Sequence, residues 1–316
     1  MKFLLPQGIG DSVWALTKIE DVARQEGADS IEVALNCTQD GHYVQSRALD
    51  FVRQFAFVSK AQMLVTHIHP DMTGPPVDKD GRYIYIPDGW KEIRGEKYFV
   101  MMPNHALERG IRLEDWLPQY KINWNILDQF CFCAEEIQQA DQIKKDLGDY
   151  CVFYMGPMAG NTEDGHNRDS LWTPEDWAAL GKAFTEQGLK VVLVGASYDQ
   201  MYWVMQVFPL VEEQGWLDLV GATEIGQTLA IIKQAKFVIS YQSGIGIVAE
   251  YMGIPTGIFW RPDGNSISSS FYLSFDERMN GGWSPPSMIE SGKHMALYYS
   301  RHSADWIVEE VKRRGW

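Results

Sequence analysis

The stretch MKFLLPQGIGDSVWALTKIEDVARQEG, residues 1–27, decides the fold. KFLL is an apolar run of strand length. The helix after it puts Val13, Leu16, Ile19, Val22 and Ala23 on one face and stops at Gly27. Strand, glycine loop and helix in that order open a nucleotide-binding α/β unit. Gly8 and Gly10 supply the first two glycines of a dinucleotide fingerprint, but Val13 stands where the third belongs. Asp11 puts a negative charge at the mouth of the helix, where a phosphate would be repelled. Two readings follow. Either Asp11 caps a helix over 12–26, or it is a carboxylate placed there to react.

The same theme repeats along the chain. IEVAL (31–35), YIYI (83–86) and YFVMM (98–102) read as strands, and ERGIRLEDWLP (108–118) as a short helix halted by Pro118. In the second half the polar helix EEIQQADQIKKDLG leads into the strand YCVFYMG (150–156). A long polar loop follows, then a helix opened by Thr173 with Pro174 at its first position. KVVLVG (190–195), KFVIS (236–240) and IPTGIFW (254–260) are further strands, the last two flanking the helix SGIGIVAEYMG. Near-continuous apolar strands alternating with helices predict an α/β fold of parallel sheets. Two Rossmann-like domains are expected, 1–133 and 134–302, with their sheets facing a central cleft. The stretch 261–300 reads as irregular, and the final helix, 303–316, is a candidate to pack back on the first domain.

Composition narrows the partners. The chain of 316 residues carries 42 acidic and 28 basic side chains, a net charge of −14, and its basic clusters are short. That balance disfavours nucleic acid as the main partner. No apolar run reaches the ~18 residues of a membrane span, and the N-terminus lacks the pattern of a signal peptide. Cys37, Cys131, Cys133 and Cys151 have no metal-ligand spacing, so reduced thiols and a cytoplasmic location are expected. His67 and His69 are HxH spaced without a third ligand nearby, and no metal site is expected.

Three loops are candidates for chemistry. Ser243, Gly244 and Gly246 lie where a strand gives way to a helix, so backbone N–H groups there can receive a diphosphate. The plainer reading is a tight strand–helix turn that needs small residues. The loop GPMAGNTEDGHNRDSLW (156–172) is long for a βα connection and holds Arg168, a cation suited to bidentate phosphate contact. His105, with Arg109 close behind, follows a strand exit and is a candidate for acceptor binding or catalysis. Trp260, Phe271, Tyr272 and Trp283 are candidate stacking platforms for a sugar or base, with burial as the plainer reading.

The ordered set GIGDSVWALTKI (8–19), YMGPMAG (154–160), LWTPEDWAALGKAFTEQGLKVVLVG (171–195) and the run from Leu219 to Trp260 resembles glycosyltransferase family 9, the heptosyltransferase-like enzymes of GT-B fold. The resemblance implies an N-terminal domain for the acceptor and a C-terminal domain for a nucleotide-diphosphate sugar. It also implies an inverting, metal-independent glycosyl transfer without a cofactor. On it, Asp11 falls on the general base, and Gln242, Ser243 and Gly244 fall on the donor-phosphate motif. Gly8, Gly10, His105 and Arg109 are then expected on the acceptor side, and Gly156, Pro157, Arg168 and Gly246 on the donor side. The sequence departs from the family at Gln242, where an aspartate is usual, at Ile247, where a histidine is common, and before Trp172, where a lysine is usual. Those departures carry the alternative, a catalytically degenerate member that binds a ligand or protein.

Overall fold

The structure is a computed structural model that describes residues 1–37, 42–65, 88–155, 172, 174–197, 212–241, 243–260, 282–298 and 302–316. The chain forms two units, Met1–Cys131 with Asn280–Trp283, and Phe132–Met279 with Ser284–Trp316. The division falls between Cys131 and Phe132; the sequence reading set it after 133. YIYI (83–86), His67 and His69 lie outside the described residues.

In the first unit, β1 (Lys2–Leu5) is followed by α1 (Ile9–Gln25), β2 (Ile31–Cys37), α2 (His42–Arg53), β3 (Val58–Val65), β4 (Gly89–Ile93), β5 (Glu96–Val100) and α3 (Pro103–Glu108). The described strands form one sheet in the order β3-β2-β1-β5-β4. β1 is central because Phe3, Leu4 and Leu5 are all fully buried, and it pairs in parallel with β2 and β5. The sheet is not purely parallel, as the sequence reading had it: β4 and β5 form an antiparallel hairpin. Its turn residues Arg94 and Gly95 both take positive φ, 53° and 75°, the conformation that matches strand twist in a two-residue hairpin. The helix expected over 108–118 is instead α3, one turn upstream, with Pro103 at its first turn. Leu117 takes a φ of 50°, which a continuing helix would not allow.

The second unit runs α4 (Ala134–Leu147), β6 (Tyr150–Tyr154), α5 (Pro174–Thr185), β7 (Lys190–Gly195), β8 (Leu217–Val220), α6 (Ile225–Lys233), β9 (Val238–Tyr241), α7 (Gly244–Tyr251), β10 (Thr256–Trp260), α8 (Pro286–Glu290), β11 (His294–Tyr298) and α9 (Ala304–Arg314). The strands pair in parallel in the order β11-β10-β9-β6-β7-β8. The stretch 261–300 is therefore not all irregular: it contributes α8 and the edge strand β11. The C-terminal helix, a candidate to return to the first domain, belongs to the second unit. There α9 packs along α5, and Arg314 donates to the carbonyl oxygens of Gly292 and His294 at 2.8 Å each.

The core of this unit is aromatic. Trp172, Trp177, Tyr241 and Phe259 pack ring against ring. Trp177 Nε1 donates to Tyr241 Oη at 2.8 Å, which satisfies a buried indole N–H. Trp216 lies directly over α5, where a Cβ on Gly181 would stand 1.8 Å from the indole Cζ2. Gly181→Ala is therefore expected to cost about 1–3 kcal/mol through overpacking. Chemical denaturation reads this out, and an unchanged midpoint would contradict the packing.

Among the described strands, each sheet has one point where strand order reverses, between β1 and β5 in the first and between β6 and β9 in the second. Loops leaving the carboxyl ends of the strands at such a point diverge and leave a crevice for ligands.

Candidate functional site

At the reversal point of the first sheet, the chain leaves β1 through Pro6–Gly8 and enters α1 at Ile9. Gly8 is the N-cap residue, with φ −77° and ψ 140°, and contributes no side-chain cap. Asp11 is thus the third residue of the helix, and the reading of Asp11 as the cap of a helix over 12–26 is corrected. The turn is closed by Ser12, whose N–H donates to Gly8 O at 2.9 Å and whose Oγ donates to Pro6 O at 3.1 Å. Neither bond uses the Asp11 carboxylate. Among the described residues no hydrogen-bond donor or ion-pair partner meets it.

Asp11 keeps some accessible surface, yet protein crowds its carboxyl closely enough that desolvation raises its pKa from 3.8 to about 6. A carboxylate stays this basic only when nothing stabilises its charge. Gly8 has a steric part in this: a Cβ there would stand 2.6 Å from Asp11 Oδ2. The glycine leaves room for the carboxylate, and Gly10 beside it is buried.

The other side of the same reversal point is the exit from β5. Pro103 opens α3 and His105 follows, its ring partly buried. Burial lowers the His105 pKa, Asp88 works against that, and Arg109 adds to it. Arg109 ends α3 and is exposed.

Sequence reading missed the groups that hold this exit together. Asp88 Oδ1 accepts the Met102 N–H at 2.7 Å, and Oδ2 accepts Trp116 Nε1 at 2.9 Å. Lys18, fully buried, donates to the carbonyl oxygens of Glu114 at 3.4 Å, Leu117 at 3.1 Å and Trp116. Its ammonium lies 5.7 Å from the centroid of the Trp116 ring. Burial pushes the Lys18 pKa down to about 8 although Asp115 and Glu114 favour the charged form. The legible signal was helical spacing: Asp11, Trp14 and Lys18 share one face of α1.

Trp283 is corrected as a stacking platform. Its ring is fully buried within the first unit, with its edge against Trp14 at a centroid separation of 5.0 Å. Phe271, Tyr272 and the Trp260 side chain lie outside the described residues.

In the second unit, Ser243 follows β9 at the reversal point and is the N-cap of α7. Its Oγ accepts the Gly246 N–H at 3.2 Å and lies 3.0 Å from Ser240 Oγ. Gly244 is the first helical residue. Gly246 has a packing role as well: a Cβ there would come within 3.2 Å of Ile258 Cδ1 and Ser240 Oγ. Gly156, Pro157, Arg168 and Gln242 lie outside the described residues. Among those described, no cluster of three His, Cys, Asp or Glu side chains has metal-binding geometry. Cys131 and Cys133 are exposed free thiols and Cys151 a buried one.

Residues 130–259 match the model of glycosyltransferase family 9 (heptosyltransferase). The match spans most of the second unit, including β6, β9 and the Ser243 turn. Over that span the chain is similar to family 9 glycosyltransferases. No curated protein matches it by sequence. Its fold is similar to that of the glycosyl transferase family 9 protein of Veillonella parvula, with a TM-score of 0.57 at 12% identity over 99% of this chain and 96% of the other. It is also similar to Escherichia coli ADP-heptose lps heptosyltransferase II, with TM-score 0.57, 13% identity and coverage of 99% and 98%. E. coli heptosyltransferase WaaC with ADP gives 0.55 and 13% over 99% and 100%. At these identities the structural likeness establishes the fold, which is GT-B. Together with the family match it supports a glycosyltransferase that uses a nucleotide sugar. No helix among the described residues is long and apolar enough to cross a membrane.

Proposed function

We propose that the protein is an inverting, metal-independent glycosyltransferase that moves a sugar from a nucleotide-diphosphate donor to an acceptor hydroxyl. The acceptor is a glycan or another hydroxyl-bearing molecule. The observation that carries this reading is the Asp11 carboxylate, unpartnered among the described residues and raised to about 6 at the reversal point of the first sheet. At neutral pH it is mostly ionised, yet basic enough to take a proton as a bond forms. In the proposed step the acceptor oxygen attacks the anomeric carbon and its proton passes to Asp11. The bond from that carbon to the diphosphate oxygen breaks, and the electron pair leaves with the nucleoside diphosphate. Attack opposite the leaving group inverts the anomeric centre.

The departing diphosphate gains negative charge. In this reading it is held by the N-terminus of α7 with Ser243 and Gly244, and by Gly156, Pro157, Arg168 and Gln242. Helix N–H groups and a guanidinium supply the stabilisation without a cation. His105 and Arg109 flank the acceptor, and the reaction takes place in the cytoplasm. Ser243→Ala removes the acceptor of the Gly246 N–H, at about 1 kcal/mol of stability. It is expected to weaken nucleotide binding several-fold, measured by calorimetry with ADP; unchanged affinity would remove Ser243 from the donor site.

The test of the whole reading is saturation-transfer NMR with ADP-heptose and a panel of other nucleotide sugars. Binding of at least one is expected, and none binding to the folded protein contradicts the proposal. Ile247 favours a second reading, a binding protein without catalysis. It is buried in α7, where the family commonly has a histidine. That reading predicts nucleotide binding with no turnover of any donor.

A further inference from the structure

Trp283 is the most remote contributor to the first unit. It ends the short segment Asn280–Trp283, which joins that unit between two stretches of the second. Gly282, at a φ of 64°, turns the chain just before it in a conformation glycine adopts at little cost. The indole N–H and the carbonyl of Trp283 are both used. Its Nε1 donates to Ile111 O at 2.9 Å, and its carbonyl oxygen accepts Trp14 Nε1 at 3.1 Å across 269 positions of sequence. Its ring packs edge-on against Trp14 and lies 6.4 Å from that of Trp116. Trp14 is 3% exposed, so water cannot readily replace the Trp283 carbonyl as its partner.

Trp14 is one turn from Asp11 on the same face of α1. The next residue on that face, Lys18, is fastened to the Glu114–Leu117 turn. The face that carries the carboxylate is thus held at two successive levels, by Trp283 and by that turn.

We propose that Trp283 is a positioning residue for Asp11, holding Trp14 so that the first turns of α1 keep the carboxylate crowded by protein and, among the described residues, unpartnered. The proposal rests on the reading of Asp11 as the base. Loosening the Trp14–Trp283 contact lets the start of α1 shift and relieves the crowding of the carboxylate, admitting more water to it. Core packing alone would affect stability and leave the titration of Asp11 where it is.

The test uses Trp283→Phe, which removes the Ile111 bond and leaves a gap beside Trp14, and Trp14→Phe, which removes the donor to the Trp283 carbonyl. Asp11→Asn is run beside them. Carboxyl 13C NMR on aspartate-labelled protein follows the titration of Asp11, assigned by its loss in Asp11→Asn. Release of ADP from ADP-heptose gives turnover, and calorimetry gives ADP affinity. In both tryptophan variants the Asp11 titration is expected to fall from about 6 toward about 4. Turnover is expected to drop about tenfold or more, with ADP affinity unchanged. A lower melting temperature with the Asp11 titration unmoved overturns the proposal and leaves Trp283 as core. If Asp11→Asn turns over donor like the wild type, the base reading fails by itself. The NMR titration then still decides whether Trp283 sets the environment of Asp11.

Discussion

Asp11→Asn is expected to lower kcat for glycosyl transfer by about 10²–10⁴-fold, the usual worth of a positioned general base, with nucleotide affinity intact. The same substitution is expected to make the protein more stable at pH 8. The sign follows from the titration: the carboxyl takes up its proton near pH 6 in the fold and near 3.8 in the unfolded chain. Below 3.8 both states are protonated and the group is neutral to stability. As pH rises through the interval the unfolded chain ionises first, and stability is lost until about pH 6. Above that the full cost remains, on the order of 2–3 kcal/mol, offset in part by the helix N-terminus, which favours a negative charge in its first turn. Asparagine carries no such cost. A variant that melts higher at pH 8 and turns over far more slowly separates lost chemistry from lost folding. Thermal melts at pH 4 and pH 8 with initial-rate assays check both halves. Equal turnover would remove Asp11 from the mechanism.

Gly8→Ala is expected to lower kcat by about 10²-fold, the scale of a misplacement of about 1 Å at a reacting group. The backbone there is at φ −77° and ψ 140°, which alanine adopts without strain. Stability is therefore expected to change by no more than about 1 kcal/mol. The methyl group would stand 2.6 Å from Asp11 Oδ2, and the side chain, being the softer partner, must swing away. Melting temperature and turnover measured together check this. A variant with wild-type kcat would show that the carboxylate has room to spare and that Gly8 does not define its position.

What the sequence revealed follows from where the physical signal is strong. β1, β6, β7 and β10 were legible because both faces of a central parallel strand are covered, which leaves near-continuous apolar runs. β3 and β11 were not. They are edge strands with mixed sequences, VSKAQMLV and HMALY. β3 lacks the burial that makes a strand conspicuous. β11, though His294, Met295 and Leu297 are buried, is only five residues long and opens on a polar one. The helix placed at 108–118 failed because Leu113, Trp116 and Leu117 have the i, i+3, i+4 spacing of a helix face. In the fold, turns pinned by Lys18 bury Leu113 and Trp116 instead.

At the candidate site, the glycine loop and Asp11 could be read from residue types alone, since only glycine leaves space beside that carboxylate. The start of α1 could not. Without a side-chain cap at Gly8, the first helical residue has no local marker, and Asp11 is the residue type that marks a cap. Trp283 and Asp88 were illegible in their roles for a different reason. Each acts through a partner far along the chain, Trp14 and Trp116 respectively, and no local pattern records such a pairing. Lys18 was in plain view as a cation on a buried helix face.

If Asp11, unpartnered among the described residues, takes the acceptor's proton, its titration governs the rate. The pH dependence of kcat/KM for the wild-type enzyme, with its best donor from the nucleotide-sugar panel, reads this directly. Because the reactive form is the ionised carboxylate, the rate should rise tenfold per pH unit on the acid side, bend near pH 6 and hold a plateau above it. That limb should vanish in the residual activity of Asp11→Asn. A rate that is flat from pH 5 to pH 8, or a limb that persists unchanged in Asp11→Asn, would contradict the account.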